Sequence, residues 1–232
     1  MKSIVFDSGP IISLTLNNLL WILEPLQKRF GGDFYITTAV KQEIIDHPLQ
    51  TKRFKYEAFQ VLKMIKDGTI TVYDSPTLGK TSTQLLDLAN TIYAIKGQRL
   101  KLLHYAEMSV LAACLELGSS AAVVDERTTR LLLENHNRIA EILRVRIHAN
   151  PYVDIPSLNA FRSQMRGLKV IRSTELATIA YEQGLLKEYI ADASAVPNAQ
   201  QELLEAVLWG LKLNGCSIGE KEINQLLKIE RV

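Results

Sequence analysis

Five short segments with the composition of β-strands, most of them followed by a helical pattern, constrain the fold of this chain more than any other feature. Residues 3–6 and 121–124 are nearly continuous apolar runs, which is typical of strands buried on both faces of a parallel sheet. Alternation of strands with helical stretches predicts an α/β fold with right-handed crossovers. The predicted strands cover residues 3–6, 34–37, 69–73, 121–124 and 168–171.

Helical patterns fill much of the remaining sequence. They cover residues 11–30, 57–66 and 107–117, which lie between the predicted strands. Residues 134–166 fit the alternation poorly because they contain two proline-bearing breaks, so we expect an insertion with some helix and an irregular middle. The alternation then resumes with the last predicted strand.

Beyond Gly184 the pattern is helical only. Residues 201–213 have an apolar face, and Ser217 and Glu220 have the spacing of a capping box, in which the two residues cap a helix start reciprocally. These features predict a C-terminal helical hairpin packed on the core. The expected organisation is an α/β domain over residues 1–190 and the hairpin over residues 191–232.

Composition narrows the class of protein. The chain has 232 residues, a formal net charge of +2, 47% hydrophobic residues and 22% charged residues, a balance typical of globular proteins. Cys114 and Cys216 are too few for a disulfide scaffold and are expected to be reduced thiols. Asp7 interrupts the region where a signal peptide needs an apolar core, and no apolar run has the length of a membrane span. We therefore expect a soluble cytoplasmic protein with no membrane partner.

The small net charge hides an uneven distribution. Residues 127–172 carry nine basic and three acidic side chains, whereas residues 173–232 carry five basic and nine acidic ones. A basic middle segment can attract a polyanion, although a solvated helical face is the simpler explanation.

Several familiar catalytic and nucleotide-binding motifs are absent from the sequence. No GxGxxG or complete P-loop follows a predicted strand, so no glycine-rich loop is available to bind phosphate. Neither Gly-x-Ser-x-Gly nor a metal-binding histidine spacing is present. The residues that remain as candidates for chemistry are acids at strand ends and helix starts.

Four acids occupy such places. Asp7 and Asp125 end the first and fourth predicted strands, Glu43 lies in the helix after the second strand, and Glu107 opens the helix before the fourth. In a parallel sheet the carboxyl ends of central strands converge on one edge, where ligands usually bind. Carboxylates gathered there would raise one another's pKa unless a cation neutralised them. Oxygen ligands of this kind suit Mg²⁺ or Mn²⁺, which can polarise a phosphodiester and activate water.

Each acid also has a purely structural interpretation. Asp7 and Asp125 could cap strand ends, and Glu107 could favour a helix N-terminus through the helix dipole. Glu43 lies on an amphipathic helix where glutamates are common, and Asp46 follows one turn later as its substitute. A carboxylate placed directly after a buried strand is nevertheless costly without a partner.

Together these residues resemble the PIN-domain family, which includes toxin ribonucleases and RNA-processing factors. The resemblance rests on Ile4-Val5-Phe6-Asp7-Ser8, on Glu43, on Ala106-Glu107 opening a helix that ends at Gly118, and on Ala122-Val123-Val124-Asp125. It covers roughly residues 1–133 and the strand near residues 168–172.

The resemblance implies a three-layer α/β/α fold with a five-stranded parallel sheet in the order 3-2-1-4-5. It further implies a hydrolase, an endoribonuclease that binds Mg²⁺ or Mn²⁺ and cuts RNA through activated water. Asp7, Glu43, Glu107 and Asp125 match the family's acidic positions, and Ser8 matches a hydroxyl position that could orient water. A homodimer is suggested by the resemblance alone.

Two departures from the family pattern keep a second interpretation open. Val123 stands where the family often has threonine, and Arg127 stands where it often has a further acid, for which Glu126 is a substitute. These departures, with Trp209 as an exposed contact on the hairpin, favour a catalytically weak PIN scaffold that binds RNA or a protein partner.

Three arginines are candidates for substrate binding. Arg127 and Arg130 share a helix face if a helix begins after Asp125, and their guanidinium groups could bind phosphates beside the acids. Arg172 has a similar place after the fifth strand, just before Ser173, a predicted helix cap. Ordinary surface arginines are the alternative explanation.

Overall fold

The computed structural model describes residues 2–191 and 196–230. Its strands are Ser3–Phe6 (β1), Asp33–Thr37 (β2), Thr71–Tyr73 (β3), Tyr93–Ile95 (β4), Gln98–Arg99 (β5), Ala121–Val123 (β6), Tyr152–Val153 (β7) and Lys169–Ile171 (β8). Its helices up to β6 are Ser8–Leu16 (α1), Leu23–Phe30 (α2), Thr38–Lys41 (α3), His47–Leu49 (α4), Lys55–Lys66 (α5), Leu78–Ala89 (α6) and Tyr105–Leu117 (α7). Those after β6 are Arg127–Glu134 (α8), His136–Ile147 (α9), Ile155–Gln164 (α10), Ser173–Glu182 (α11), Ala199–Leu213 (α12) and Glu220–Ile229 (α13).

A five-stranded parallel sheet forms the centre of the fold, in the order β3-β2-β1-β6-β8. Counted along the chain, these strands are the third, second, first, fourth and fifth of the sheet, so the predicted α/β/α class is confirmed. Strand β1 is central and pairs with β2 on one side and β6 on the other. All four of its residues are buried, because helices cover both faces of the sheet.

Two groups of helices flank the sheet. Helix α1 contacts α5 and α11, whereas α7 contacts α6 and the strands β1, β2 and β6. Helix α10 joins the second group through α6. Helices α1, α3 and α11 begin directly after β1, β2 and β8, so their first turns lie at the carboxyl edge of the sheet, where the candidate site lies.

The predicted helix over residues 11–30 is two helices. Helix α1 begins at Ser8, directly after the first strand, and ends at Leu16, with Asn17 as its C-cap and Asn18 next in the chain. Asn18 has a φ of 56°, a left-handed conformation that asparagine tolerates better than most residues and that cannot continue a helix. A short 3-10 turn over Leu20–Ile22 then leads into α2.

The segment predicted as an insertion contributes to a second sheet that the sequence analysis did not anticipate. Strand β4 pairs antiparallel with both β5 and β7, and the Asp154 amide donates to the Ile92 carbonyl at 2.8 Å. Residues 134–166 therefore contain two helices, α9 and α10, on either side of a two-residue strand. This segment packs on the core, because Phe161 of α10 is fully buried.

The C-terminal helices α12 and α13 form the predicted hairpin, with α12 packed on α11. The predicted capping box at Ser217 and Glu220 is wrong. Helix α13 begins after Gly219, whose amide donates to the Glu222 carboxylate at 2.8 Å. Trp209, expected to be exposed, is partly buried against the core.

Two further features concern membrane-spanning helices and the cysteines. Among the residues that the structure describes, no helix combines the length and the apolar character needed to cross a membrane. Cys114 and Cys216 are both buried and unpaired.

We predict that Phe161→Ala lowers the free energy of unfolding by about 3 to 5 kcal/mol, because it empties a fully buried aromatic site between α10 and the core. Phe59→Ala is the matched control. Its ring is 55% exposed, so a change within about 0.5 kcal/mol is expected. Urea denaturation measures the free energy of unfolding of both variants. Equal decreases for the two would show that α10 is not part of the core.

Candidate functional site

Asp7 lies at the junction of the two central strands. It follows β1 directly, and its backbone amide donates to the Val123 carbonyl of β6 at 2.9 Å. The residue is only 4% exposed, yet its Oδ1 atom has no hydrogen-bond partner within the part of the chain that the structure describes. It occupies the N-cap position of α1 without making a side-chain capping bond. A buried carboxylate oxygen in this state is costly for the free protein.

Other carboxylates add to that cost. The pKa of Asp7 is raised to about 7, mainly by burial and also by the charges of Glu107, Glu43 and Asp125, while the Ser8 amide opposes the rise. The four acids predicted from the sequence are therefore close enough to interact electrostatically at one rim of the sheet.

Glu107 combines a capping role with its place at this rim. Its Oε2 atom accepts the His104 amide at 2.9 Å, which closes the first turn of α7. Burial raises the pKa of Glu107, local hydrogen bonds and His104 lower it, and the charge of Glu126 raises it. Glu126 itself caps α8 by accepting the Thr129 amide at 2.7 Å.

Glu43 belongs to a π-helical turn over Gln42–Asp46, inserted between α3 and α4. Its side chain is exposed. Asp46, the substitute considered from the sequence, forms an ion pair with Lys41 at 2.7 Å. The charge of Glu43 raises the pKa of Asp7, which indicates that this turn brings the Glu43 carboxylate toward the rim.

Asp125 differs from the other three acids. Its Oδ2 atom accepts the hydroxyls of Ser13 at 2.9 Å and Ser173 at 2.7 Å, and its Oδ1 atom accepts the Ser173 amide at 2.8 Å. It is 2% exposed. Neither partner was predicted from the sequence. Ser173 was identified only as a helix cap, and Ser13 carried no signal because its contact spans 112 residues of chain.

The four acids differ in how well they suit a divalent cation. Across residues 2–191 and 196–230, no three histidine, cysteine, aspartate or glutamate side chains already meet as metal ligands would. Asp7, Glu43 and Glu107 nevertheless supply hard oxygen donors, with one buried oxygen unpartnered and charges that raise a neighbour's pKa. Such a set fits a cation that keeps several waters, as Mg²⁺ does. Asp125 fits less well because its oxygens already accept three hydrogen bonds.

The three predicted arginines converge on one residue, Ser217, in the turn between α12 and α13. Arg127 donates to its hydroxyl at 3.0 Å, and Arg130 and Arg172 donate to its carbonyl at 3.2 and 3.4 Å. The sequence analysis did not foresee that the hairpin turn reaches this face of the domain.

Arg172 is the most constrained of the three. It is 8% exposed and is held by Glu175 and, at 3.1 Å, by Glu222. These ion pairs link α13 to the end of β8, which is a different role from the substrate binding predicted for Arg172. Arg130 pairs with Glu134 at 3.1 Å. Arg127, which remains exposed and forms no ion pair among the described residues, is the one best placed to meet a ligand.

Comparison with known proteins identifies the family of the chain. A family model described as PIN domain matches residues 3–140, which is more than half of the chain and includes all four acids. The chain belongs to the PIN-domain family. Neither the curated proteins nor the solved structures gave a match.

Membership gives a general functional class. PIN domains are generally nucleases, which are hydrolases, and they usually use divalent metals. In this PIN domain Val123, which replaces the family's frequent threonine, is fully buried. The match ends at residue 140, so α10 to α13 and most of α9 lie outside it.

We predict that Asp7→Asn stabilises the metal-free protein increasingly as the pH rises from about 4 to about 8. In that window the unfolded chain has released the Asp7 proton and the folded chain retains it, so the wild-type free energy of unfolding falls with pH. The asparagine does not titrate, and the difference between the two proteins grows by up to about 4 kcal/mol.

Urea denaturation in the presence of a chelator measures this difference. Asp46→Asn, which changes an exposed ion pair, is the control and should show no such pH dependence. A difference between Asp7→Asn and wild type that stays constant with pH would contradict the strained state of Asp7.

Asp125→Ala should have the opposite effect on stability. It leaves three buried donor groups on Ser13 and Ser173 without their acceptor, and we expect a loss of about 3 kcal/mol or more in the free energy of unfolding. Asp125→Asn keeps one acceptor oxygen and should lose less. Denaturation at neutral pH measures both variants, and a neutral or stabilising Asp125→Ala would disprove the structural role.

Proposed function

We propose that this PIN domain is a metal-dependent ribonuclease that hydrolyses RNA phosphodiester bonds. One observation carries the proposal: Asp7 is buried with its Oδ1 atom unpartnered, and burial, together with the neighbouring carboxylates, raises its pKa to about 7. Strain of this kind is typical of functional sites, because a bound cation relieves it. Structural acids such as Asp125 instead have their donors in place.

Asp7, Glu43 and Glu107 would hold the cation. When bound, Mg²⁺ or Mn²⁺ supplies polarisation of the phosphodiester and a lowered pKa for water. The three side chains lie on different elements, after β1, in the π-helical turn and at the start of α7, so the fold rather than a local motif brings their charges together. Glu107 is fixed by its bond to the His104 amide, which limits its motion.

The remaining residues would act on the substrate and on water. Ser8, at the first turn of α1, is half-buried beside Asp7, where its hydroxyl could orient the attacking water. Arg127, exposed near Asp125, would bind a phosphate of the RNA through its guanidinium group. Asp125 would have an indirect role, because its hydrogen bonds with Ser13 and Ser173 hold α1 and α11 in place around Asp7.

We place this activity in the cytoplasm. The two buried free thiols are consistent with a reducing compartment, where cysteines stay unpaired.

The test is cleavage of a mixed single-stranded RNA pool in Mn²⁺ or Mg²⁺. Asp7→Asn should reduce the rate at least about 100-fold, the upper end of what losing a supporting residue costs a metal site. Glu107→Gln and Glu43→Gln should also reduce it. Asp46→Asn is the matched control, one turn from Glu43 and paired with Lys41, and should keep the wild-type rate.

Cleavage that persists without divalent metal, or that Asp7→Asn leaves intact, would refute the proposal. A chelator titration gives the first result and the variant the second. A metal-dependent activity lost in both Asp7→Asn and Asp46→Asn would point to general destabilisation, which circular dichroism would reveal.

A second candidate is a catalytically weak PIN scaffold that binds RNA or a protein partner. The observation favouring it is that Asp125 and Arg172 are committed to internal contacts, which leaves three acids rather than four for a metal. Equal RNA binding by wild type and Asp7→Asn, with cleavage by neither, would support this candidate over the nuclease.

A further inference from the structure

A cavity of about 400 Å³ lies between α8, α9 and the turn that joins α12 to α13. Its volume is within the range of small-molecule sites. Much of its lining is outside the matched family segment, which ends at residue 140: Ile142, Leu143 and Arg146 come from the later part of α9, and Gly215 and Ser217 come from the hairpin turn. Five of the twelve lining residues therefore come from what this chain adds to the matched PIN segment.

The cavity has an apolar wall and a charged rim. Leu131 of α8 and Ile139, Ile142 and Leu143 of α9 form the wall. Arg146 is exposed at the rim. An aliphatic surface of this kind can pack against a flat aromatic ring, and arginine can bind the phosphate attached to it.

Two carboxylates and two guanidinium groups line this cavity, so their formal charges balance. The Asp125 carboxylate already accepts three hydrogen bonds, and the Glu126 carboxylate caps α8. Arg127 donates one hydrogen bond, from its Nε atom to the Ser217 hydroxyl. Within residues 2–191 and 196–230, Arg146 takes part in no ion pair. Two guanidinium groups thus remain for an anion.

The cavity adjoins the acidic rim. Asp125 lines the cavity just after β6, and Asp7 directly follows the neighbouring strand β1, where its amide donates to the Val123 carbonyl two residues before Asp125. A chain of nucleotides that crosses the acidic rim could therefore place one of its residues in the cavity.

We infer that this cavity is a subsite for one nucleotide of the RNA, which takes the base against the wall of α8 and α9 and the adjoining phosphate at Arg127 and Arg146. The inference rests on the proposed function for the identity of the polymer. That the ligand carries a base and a phosphate is inferred from the apolar wall and the two arginines of the cavity. A nucleotide held there keeps the strand in place while a neighbouring phosphodiester lies at Asp7.

The experiment measures binding rather than cleavage, in the Asp7→Asn background. A fluorescent single-stranded RNA oligomer and unlabelled adenosine 5′-monophosphate are the probes, with the dissociation constant read by fluorescence anisotropy and by competition. Arg146→Ala should weaken RNA binding roughly tenfold, as loss of one good phosphate contact does. Arg144→Ala is the matched control, because Arg144 is an exposed arginine on the same helix that does not line the cavity.

A second variant tests the wall. Ile142→Trp fills the cavity and should weaken the binding of both probes, and circular dichroism checks that the protein is folded. Equal effects of Arg146→Ala and Arg144→Ala, or nucleotide binding unaffected by Ile142→Trp, would overturn the subsite. Competition by the mononucleotide with RNA is expected, and mononucleotide binding that RNA cannot displace would overturn the RNA assignment.

These results separate the subsite from the nuclease. Variant-sensitive RNA binding with no metal-dependent cleavage by the wild type would retain the subsite and reject the nuclease. Cleavage by the wild type with RNA binding indifferent to Arg146→Ala and Ile142→Trp would retain the nuclease and reject the subsite.

Discussion

The hydrogen bonds of Asp125 hold the functional edge of this protein together. Its carboxylate accepts donors from Ser13 of α1 and from Ser173 at the start of α11, and its carbonyl accepts the Ser217 amide of the hairpin turn at 3.1 Å. Three segments far apart in the chain therefore meet at the end of β6. A buried carboxylate is tolerated there because its donors are already in place, and the geometry around Asp7 depends on this anchor.

Asp7 and Asp125 show how environment separates two similar residues. Both are buried aspartates at the ends of neighbouring parallel strands. One has an unpartnered oxygen and a raised pKa, and the other accepts three hydrogen bonds. The free energy lost at Asp7 is offset by contacts elsewhere, including those of Asp125. This difference is consistent with a ligand-binding role for Asp7 and a rigid structural role for Asp125.

The basic segment of the chain divides in the same way. Arg130 and Arg172 bind the hairpin turn and nearby carboxylates, so part of the positive charge is structural. Arg127 and Arg146 keep groups available beside the cavity of α8 and α9. The hairpin thus does more than cover the core, because Gly215 and Ser217 of its turn line the cavity next to the acidic rim.

The amino-acid sequence by itself determined the alternation of strands and helices and the order of the acids along the chain. Apolar runs such as residues 3–6 encode buried strands locally, and an acid directly after such a run must lie at a strand end. The tertiary structure alone decided which acid is strained, which arginines are free and where the small second sheet forms. Those outcomes depend on contacts such as Ser13 with Asp125, separated by 112 residues, and β4 with β7. No local pattern of residues encodes such pairings, because their free energy exists only once the chain has folded.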